Sequence, residues 1–263
     1  RKLVLFSGSS ARFGSDSAAL DQALPSYAVV NMGVFAYTNA LPQLELIRSQ
    51  LQEGDLLLLS PEFDAAKRQF CTTNAFDDDF FCMVEENYDL LAPLDLRQYS
   101  GIFSALGSYL QTRAGMAARS YAVSPAELDE DGNPVDTPSY NAYGDYILYR
   151  PDAGEDTPIY GLPVDYTVDA FPQAYYIDPA NAEIARFTAD GVRVWLTYSP
   201  RNSQAVSEAS TPEAIAALDA YFRANLNAAI LTPLQDSLLP GRYFYGTDNH
   251  LSTNGVALRT AQV

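Results

Sequence analysis

Between Asp55 and Glu62 the chain reads Asp-Leu-Leu-Leu-Leu-Ser-Pro-Glu, and four consecutive leucines in so short a run admit few folds. A strand turns successive side chains to opposite faces, so a run that is apolar at every position needs cover on both. It reads as a central strand of a parallel sheet. Leu3-Val-Leu-Phe6, Tyr27-Ala-Val-Val30 and Val192-Arg-Val-Trp-Leu196 are runs of the same kind, with helical signals between them, and Tyr243-Phe-Tyr-Gly246 reads as a fifth, shorter strand. The alternation predicts an α/β fold: a three-layer, flavodoxin-like α/β/α arrangement of five parallel strands in the order 2-1-3-4-5. No stretch reads as a linker, so residues 1–263 are expected to form one domain. A loop and hairpin insertion is expected at about 124–173, where Pro, Gly, Asp and Tyr crowd together and the α/β rhythm lapses. That excursion is expected to border the mouth of a site.

In such a sheet, ligands sit at the carboxyl ends of the strands. The first strand ends in Gly8-Ser9-Ser10, where a serine hydroxyl would stand beside the free N–H groups opening a helix. Ser10 is the candidate nucleophile, and its own N–H a candidate oxyanion donor. Serine needs a base, and the chain has one histidine, His250, with Asp248 two residues before it as the candidate orienting carboxylate. The second strand ends in Asn31-Met32-Gly33, and the Gly33 N–H is the candidate second oxyanion donor. Ser9, Asn31, Glu62 and Asn202 fall at the same edge and are candidates for substrate binding.

The chain carries 16 Lys and Arg against 33 Asp and Glu, a net charge of −17, which opposes binding to nucleic acid or anionic lipid through a basic surface. No apolar stretch approaches the roughly 20 residues of a membrane span. The sequence opens on Arg1-Lys2 directly before a strand, so a signal or anchor segment could precede it, and an extracytoplasmic location is the expectation. Cys71 and Cys82 flank one acidic, aromatic loop and could pair after export or stay as thiols. Two cysteines and one distant histidine lack the clustered spacing of a zinc site, and Asp77-Asp78-Asp79 reads as a solvated helix start. No metal or cofactor is expected.

The order strand-Gly8-Ser9-Ser10, strand-Asn31-Met32-Gly33 and a late Asp248-Asn249-His250-Leu251 before a helix resembles the SGNH/GDSL hydrolase superfamily. Within it the chain is most similar to the extracytoplasmic acyltransferase and esterase branch that includes teichoic-acid D-alanylation and alginate O-acetylation proteins. The resemblance implies a serine-dependent O-acyl esterase or O-acyltransferase that acts on acylated carbohydrate, or a small acyl ester, through an acyl-enzyme; a membrane-associated partner is a further implication. Ser10, Gly33, Asp248 and His250 stand where the family's nucleophile, glycine oxyanion donor and catalytic pair stand. The chain departs from the pattern at Gly8-Ser9-Ser10, where many members have Gly-Asp-Ser, and at Ser60-Pro61-Glu62-Phe63, which replaces Gly-x-Asn-Asp and its oxyanion-binding asparagine. Asp248 also lies two residues before the histidine where three is usual. The alternative expectation is a glycan-binding or assembly protein that keeps the fold without a competent oxyanion hole.

Overall fold

The computed structural model describes residues 1–33, 40–63, 70, 76, 78–92, 94, 96–119, 139–152 and 161–263. By its internal contacts the chain, which reads in sequence as one domain, divides into two compact units. The first comprises Arg1–Tyr37, Gln50–Thr72 and Tyr140–Val263, and the second Thr38–Ser49 and Thr73–Ser139.

The apolar runs form the sheet of the first unit. Strands β1 (Lys2–Ser7), β2 (Ala28–Asn31), β3 (Leu56–Ser60), β4 (Arg193–Leu196) and β6 (Ala229–Ile230) pair in the order β2-β1-β3-β4-β6. Every pairing is parallel, with Leu5 facing Asn31 on one side and Leu58 on the other. Leu56 to Leu59 are all buried, as a run with two covered faces requires. Burying one such side chain fully contributes about 1.5–3 kcal/mol. On one face Leu3, Leu5, Val29, Leu56 and Leu58 pack with Leu20 of α2 (Ser17–Ala23). Between β1 and α2 lies the short helix α1 (Ser9–Gly14). Helix α6 (Asp178–Ala189) lies against β4, and α7 (Pro212–Asn225) is capped by Thr211, whose hydroxyl accepts from the Ala214 N–H. The last helix, α8 (Thr253–Gln262), packs on α1. A small second pairing joins β5 (Arg201–Asn202) to β7 (Leu238–Leu239).

The order agrees with the expected one, but the outer place is not held by Tyr243–Gly246. Pro240 opens a tight 3₁₀ turn over Gly241–Tyr243, and Phe244 pairs antiparallel with Leu251, so this segment is a turn around the His250 loop. The outer strand is Ala229–Ile230, two residues long and with little apolar signal of its own.

The second unit holds most of α3 (Ala40–Gln50) with α4 (Asp78–Glu86) and α5 (Leu96–Arg119). Its core is Phe80, Phe81, Val84, Leu90, Leu94, Ile102 and Tyr109, with Leu46 of α3 packed against it. Asp77, Cys71 and residues 120–138 and 153–160 lie outside the described residues, and with them any Cys71–Cys82 pairing. Among the described residues no helix is long and apolar enough to cross a membrane.

Candidate active site

At the carboxyl edge of the first unit's sheet, β1 runs straight into α1, so Ser9 and Ser10 open a helix and their side chains diverge by about 100° around its axis. The divergence separates two environments. The Ser9 hydroxyl, 8% exposed, lies 2.8 Å from Nε2 of His250. The Ser10 hydroxyl, 1% exposed, turns inward and lies 2.9 Å from both Ser7 Oγ and Ser199 Oγ. Contrary to the sequence expectation, the imidazole therefore meets Ser9 and not Ser10.

The inward environment is a cluster of four serines, two of which are followed by proline. Proline biases the preceding residue to extended backbone, and Ser60-Pro61 and Ser199-Pro200 each follow an apolar strand run. Ser7 and Ser199 both donate to the Ser60 carbonyl, Ser199 at 2.6 Å, and Ser60 Oγ lies 3.1 Å from Ser199 Oγ. With those two protons committed, Ser10 is left to donate to one of the two oxygens. A hydroxyl that donates into other hydroxyls has no base to take its proton. Ser7, Ser60 and Ser199 were not among the residues expected at the site, although the repeated strand-Ser-Pro pattern marks two of them.

Both candidate oxyanion donors are engaged. The Ser10 N–H donates to Glu62 Oε1 at 2.5 Å. The Glu62 carboxylate lies so close over Gly8 that a Cβ there would come within 2.5 Å of its carboxyl carbon. The Gly33 N–H donates to its neighbour's side chain, Asn31 Oδ1, at 2.9 Å. Asn31 donates onward to the Ala11 carbonyl at 2.9 Å and to Asp145 Oδ1 at 2.8 Å, which makes it a strut between α1, β2 and residues 139–152. Glycine is required at position 33 because a Cβ would meet the Arg12 backbone nitrogen at 2.6 Å.

Asp248 is buried but serves other partners. Its Oδ2 accepts from the Gly161 N–H at 3.0 Å and lies 3.9 Å from the Arg201 guanidinium, and its carbonyl accepts from the Asn202 N–H. Among the described residues no carboxylate bonds His250. Asn202, the last residue of β5, is fully buried; its Oδ1 accepts from the Gln204 N–H at 3.0 Å, and none of its bonds reaches Ser9 or His250.

His250 is held instead by its backbone and by a ring. Its N–H donates to Thr247 Oγ1 at 2.9 Å, and its imidazole stacks on Phe13 of α1 with centroids 4.2 Å apart and planes 14° from parallel. Burial, and then the nearby Arg150 guanidinium, pull its pKa down to about 4, so the ring is neutral at neutral pH. Arg150 and Phe13 were also not expected from the sequence. Arg150 had a signal, as the one Lys or Arg between residues 124 and 173. Among the described residues no group of three or more His, Cys, Asp or Glu side chains could hold a metal ion. Compared with known proteins, the chain matches no family model and no curated sequence.

Proposed function

We propose that the chain is a serine-dependent O-acyl esterase or O-acyltransferase of the SGNH type, built on the three-layer α/β/α fold of that superfamily, with Ser9 as nucleophile and His250 as its base. The observation that carries the reading is the 2.8 Å contact between Ser9 Oγ and a neutral, buried imidazole nitrogen. Ser9 Oγ attacks the acyl carbonyl as His250 Nε2 takes its proton. The imidazolium then protonates the departing sugar or alcohol oxygen, leaving an acyl-serine. Water or an acceptor hydroxyl, deprotonated by the same nitrogen, releases the acyl group. The likeness of the Gly8-Ser9-Ser10, Asn31-Met32-Gly33 and Asp248-Asn249-His250-Leu251 stretches to SGNH sequences supports acylated carbohydrate as the substrate and an extracytoplasmic location.

A second reading, a glycan-binding or assembly protein of the same fold, is favoured by one feature. The Ser10 and Gly33 N–H groups, which would receive the oxyanion, are both bonded to side chains of the protein. A fluorophosphonate probe separates the two. Acyl transfer requires covalent labelling at Ser9, located by peptide mass, that disappears in Ser9→Ala and His250→Ala but persists in Ser10→Ala. Absence of labelling in the folded parent, with no release from p-nitrophenyl acetate or acetylated oligosaccharides, selects the binding reading.

A further inference from the structure

Arg150 is buried and makes no ion pair among the described residues, yet it touches both carriers of the Ser9–His250 pair. Its Nε donates to the Leu251 carbonyl at 2.7 Å, its Nη2 to the Phe13 carbonyl at 3.0 Å, and its Nη1 to the Tyr146 carbonyl at 3.2 Å. The guanidinium carbon stands 5.5 Å from the Phe13 ring centroid and 5.1 Å from that of Tyr146. Phe13 is on the helix that bears Ser9, and Leu251 follows His250. The Arg150 backbone adds two bonds to the same loop, donating to Thr253 Oγ1 at 3.1 Å and accepting from the Thr253 N–H at 3.0 Å. Two residues on, Asp152 accepts from Ser252 Oγ at 2.5 Å and Asn254 Nδ2 at 2.8 Å. One planar side chain thus bridges three backbone segments, beside the direct bond from the Tyr146 N–H to the Arg12 carbonyl at 2.9 Å.

We infer that Arg150 is a positioning residue: by bracketing the Phe13 and Leu251 carbonyls, it sets the imidazole of His250 against Ser9 and, with the stacked Phe13 ring, takes the place of the carboxylate that would otherwise orient it. The inference rests on the reading of Ser9 and His250 as the reacting pair. The charge has a chemical consequence. Burial already disfavours the protonated ring, and a guanidinium behind the imidazole disfavours it further where a carboxylate would favour it, so His250 stays neutral well into the acid range. The groups facing His250 are Ser9 and Phe13 from α1, Arg150 from residues 139–152, and Tyr245 and Thr247 from its own loop. The acids closest in sequence and fold are turned elsewhere, Asp248 to Arg201 and the Gly161 N–H, and Glu62 to the Ser10 N–H.

Because the chain has a single histidine, its NMR titration is unambiguous. In the full chain, the His250 midpoint should lie well below 6.5 and rise in Arg150→Met toward, but not to, that value, since burial persists. The acid limb of kcat/KM should move with it, and kcat should fall on the order of 100-fold with KM little changed, as expected for a displaced reacting group. Arg150→Lys should keep the low midpoint but not the rate, because one ammonium cannot span the three carbonyls in a plane. In Phe13→Leu the upfield ring-current shift of the imidazole protons should vanish, which serves if Arg150→Met does not fold. A titration midpoint and imidazole shifts unchanged in folded Arg150→Met, or imidazole shifts and kcat both unchanged in folded Arg150→Lys if Met is not tolerated, overturn the inference. If these signals move as expected but the parent neither labels at Ser9 nor turns over an ester, the positioning of His250 stands and the acyl-transfer reading falls.

Discussion

Two adjacent serines of identical chemistry differ here only in the direction they leave a helix. Ser9 reaches the imidazole and Ser10 reaches Ser7 and Ser199, and no property of Gly8-Ser9-Ser10 as a string distinguishes them. The rotation of α1 decides it, and that rotation is set by contacts from distant residues, including Glu62 on the Ser10 N–H and Asn31 on the Ala11 carbonyl. Ser10→Ala should remove one or two hydroxyl bonds from a satisfied cluster, lowering stability by about 1–3 kcal/mol in urea denaturation, while ester cleavage stays within a few-fold of the parent. Ser9→Ala should fold normally and lose nearly all turnover. Reversal of that pattern would return the nucleophile to Ser10. Glu62 tests the oxyanion side. Its carboxylate holds a donor that catalysis would direct at developing negative charge, so Glu62→Ala should free the Ser10 N–H and raise kcat for a small acyl ester, by up to about 100-fold. A fall in kcat for the folded variant would mean that the carboxylate is needed, in the reaction itself or to hold the rotation of α1 that brings Ser9 to His250.

At the scale of elements, residues 139–152 of the tyrosine-rich excursion carry more than turn chemistry, while residues 124–138 and 153–160 lie outside the described residues. Turn residues and aromatics mark a surface loop, yet within residues 139–152 both Asp145 and Arg150 are buried. Asp145 accepts from the Ser17 N–H at 2.9 Å, Ser17 Oγ at 2.6 Å and Asn31 Nδ2 at 2.8 Å, and so joins the start of α2 to the end of β2. Composition could not reveal this, because an aspartate in a turn and an aspartate clamping four donors, Asn141 Nδ2 at 3.2 Å among them, look alike until the partners are known. Asp145→Ala strands those donors in the interior and should lower stability by at least about 3 kcal/mol, read as a shift of the urea midpoint with unchanged slope. A loss under 1 kcal/mol would mean that the bonds of Asp145 add little to the stability of the fold. The strands were legible for the opposite reason: Leu3–Phe6 and Leu56–Leu59 have no stable placement except between two covered faces. Ala229–Ile230 was not, since two residues carry no period, and the aromatic Tyr243-Phe244-Tyr245 drew the reading to the wrong segment.

For the whole molecule, acid stability joins the site to the fold. Lowering the pH from neutrality reduces the repulsion behind a net charge of −17, which tends to stabilise the compact chain, and it protonates carboxylates, which removes hydrogen-bond acceptors that a fold uses and tends to destabilise it. Neither effect alone gives the sign of the total. His250 can be separated from both because it is the one histidine. Its unfolded pKa is near 6.5 and its folded pKa about 4, lowered first by burial and then by Arg150. Between those values the unfolded chain binds the extra proton, so the stability this residue permits is fully present above about 6.5, declines as pH falls toward about 4, and changes no further below that. The full difference is about 3 kcal/mol. His250→Asn has no such proton to bind, so the parent-minus-variant difference in unfolding free energy, measured in urea at pH 7, 5.5 and 4.5, should move against the parent by a kilocalorie or more on the order of each pH unit crossed. Parallel curves for the two proteins would mean that the imidazole titrates normally in the folded state, and the neutral, buried base on which the Ser9 chemistry depends would have to be given up.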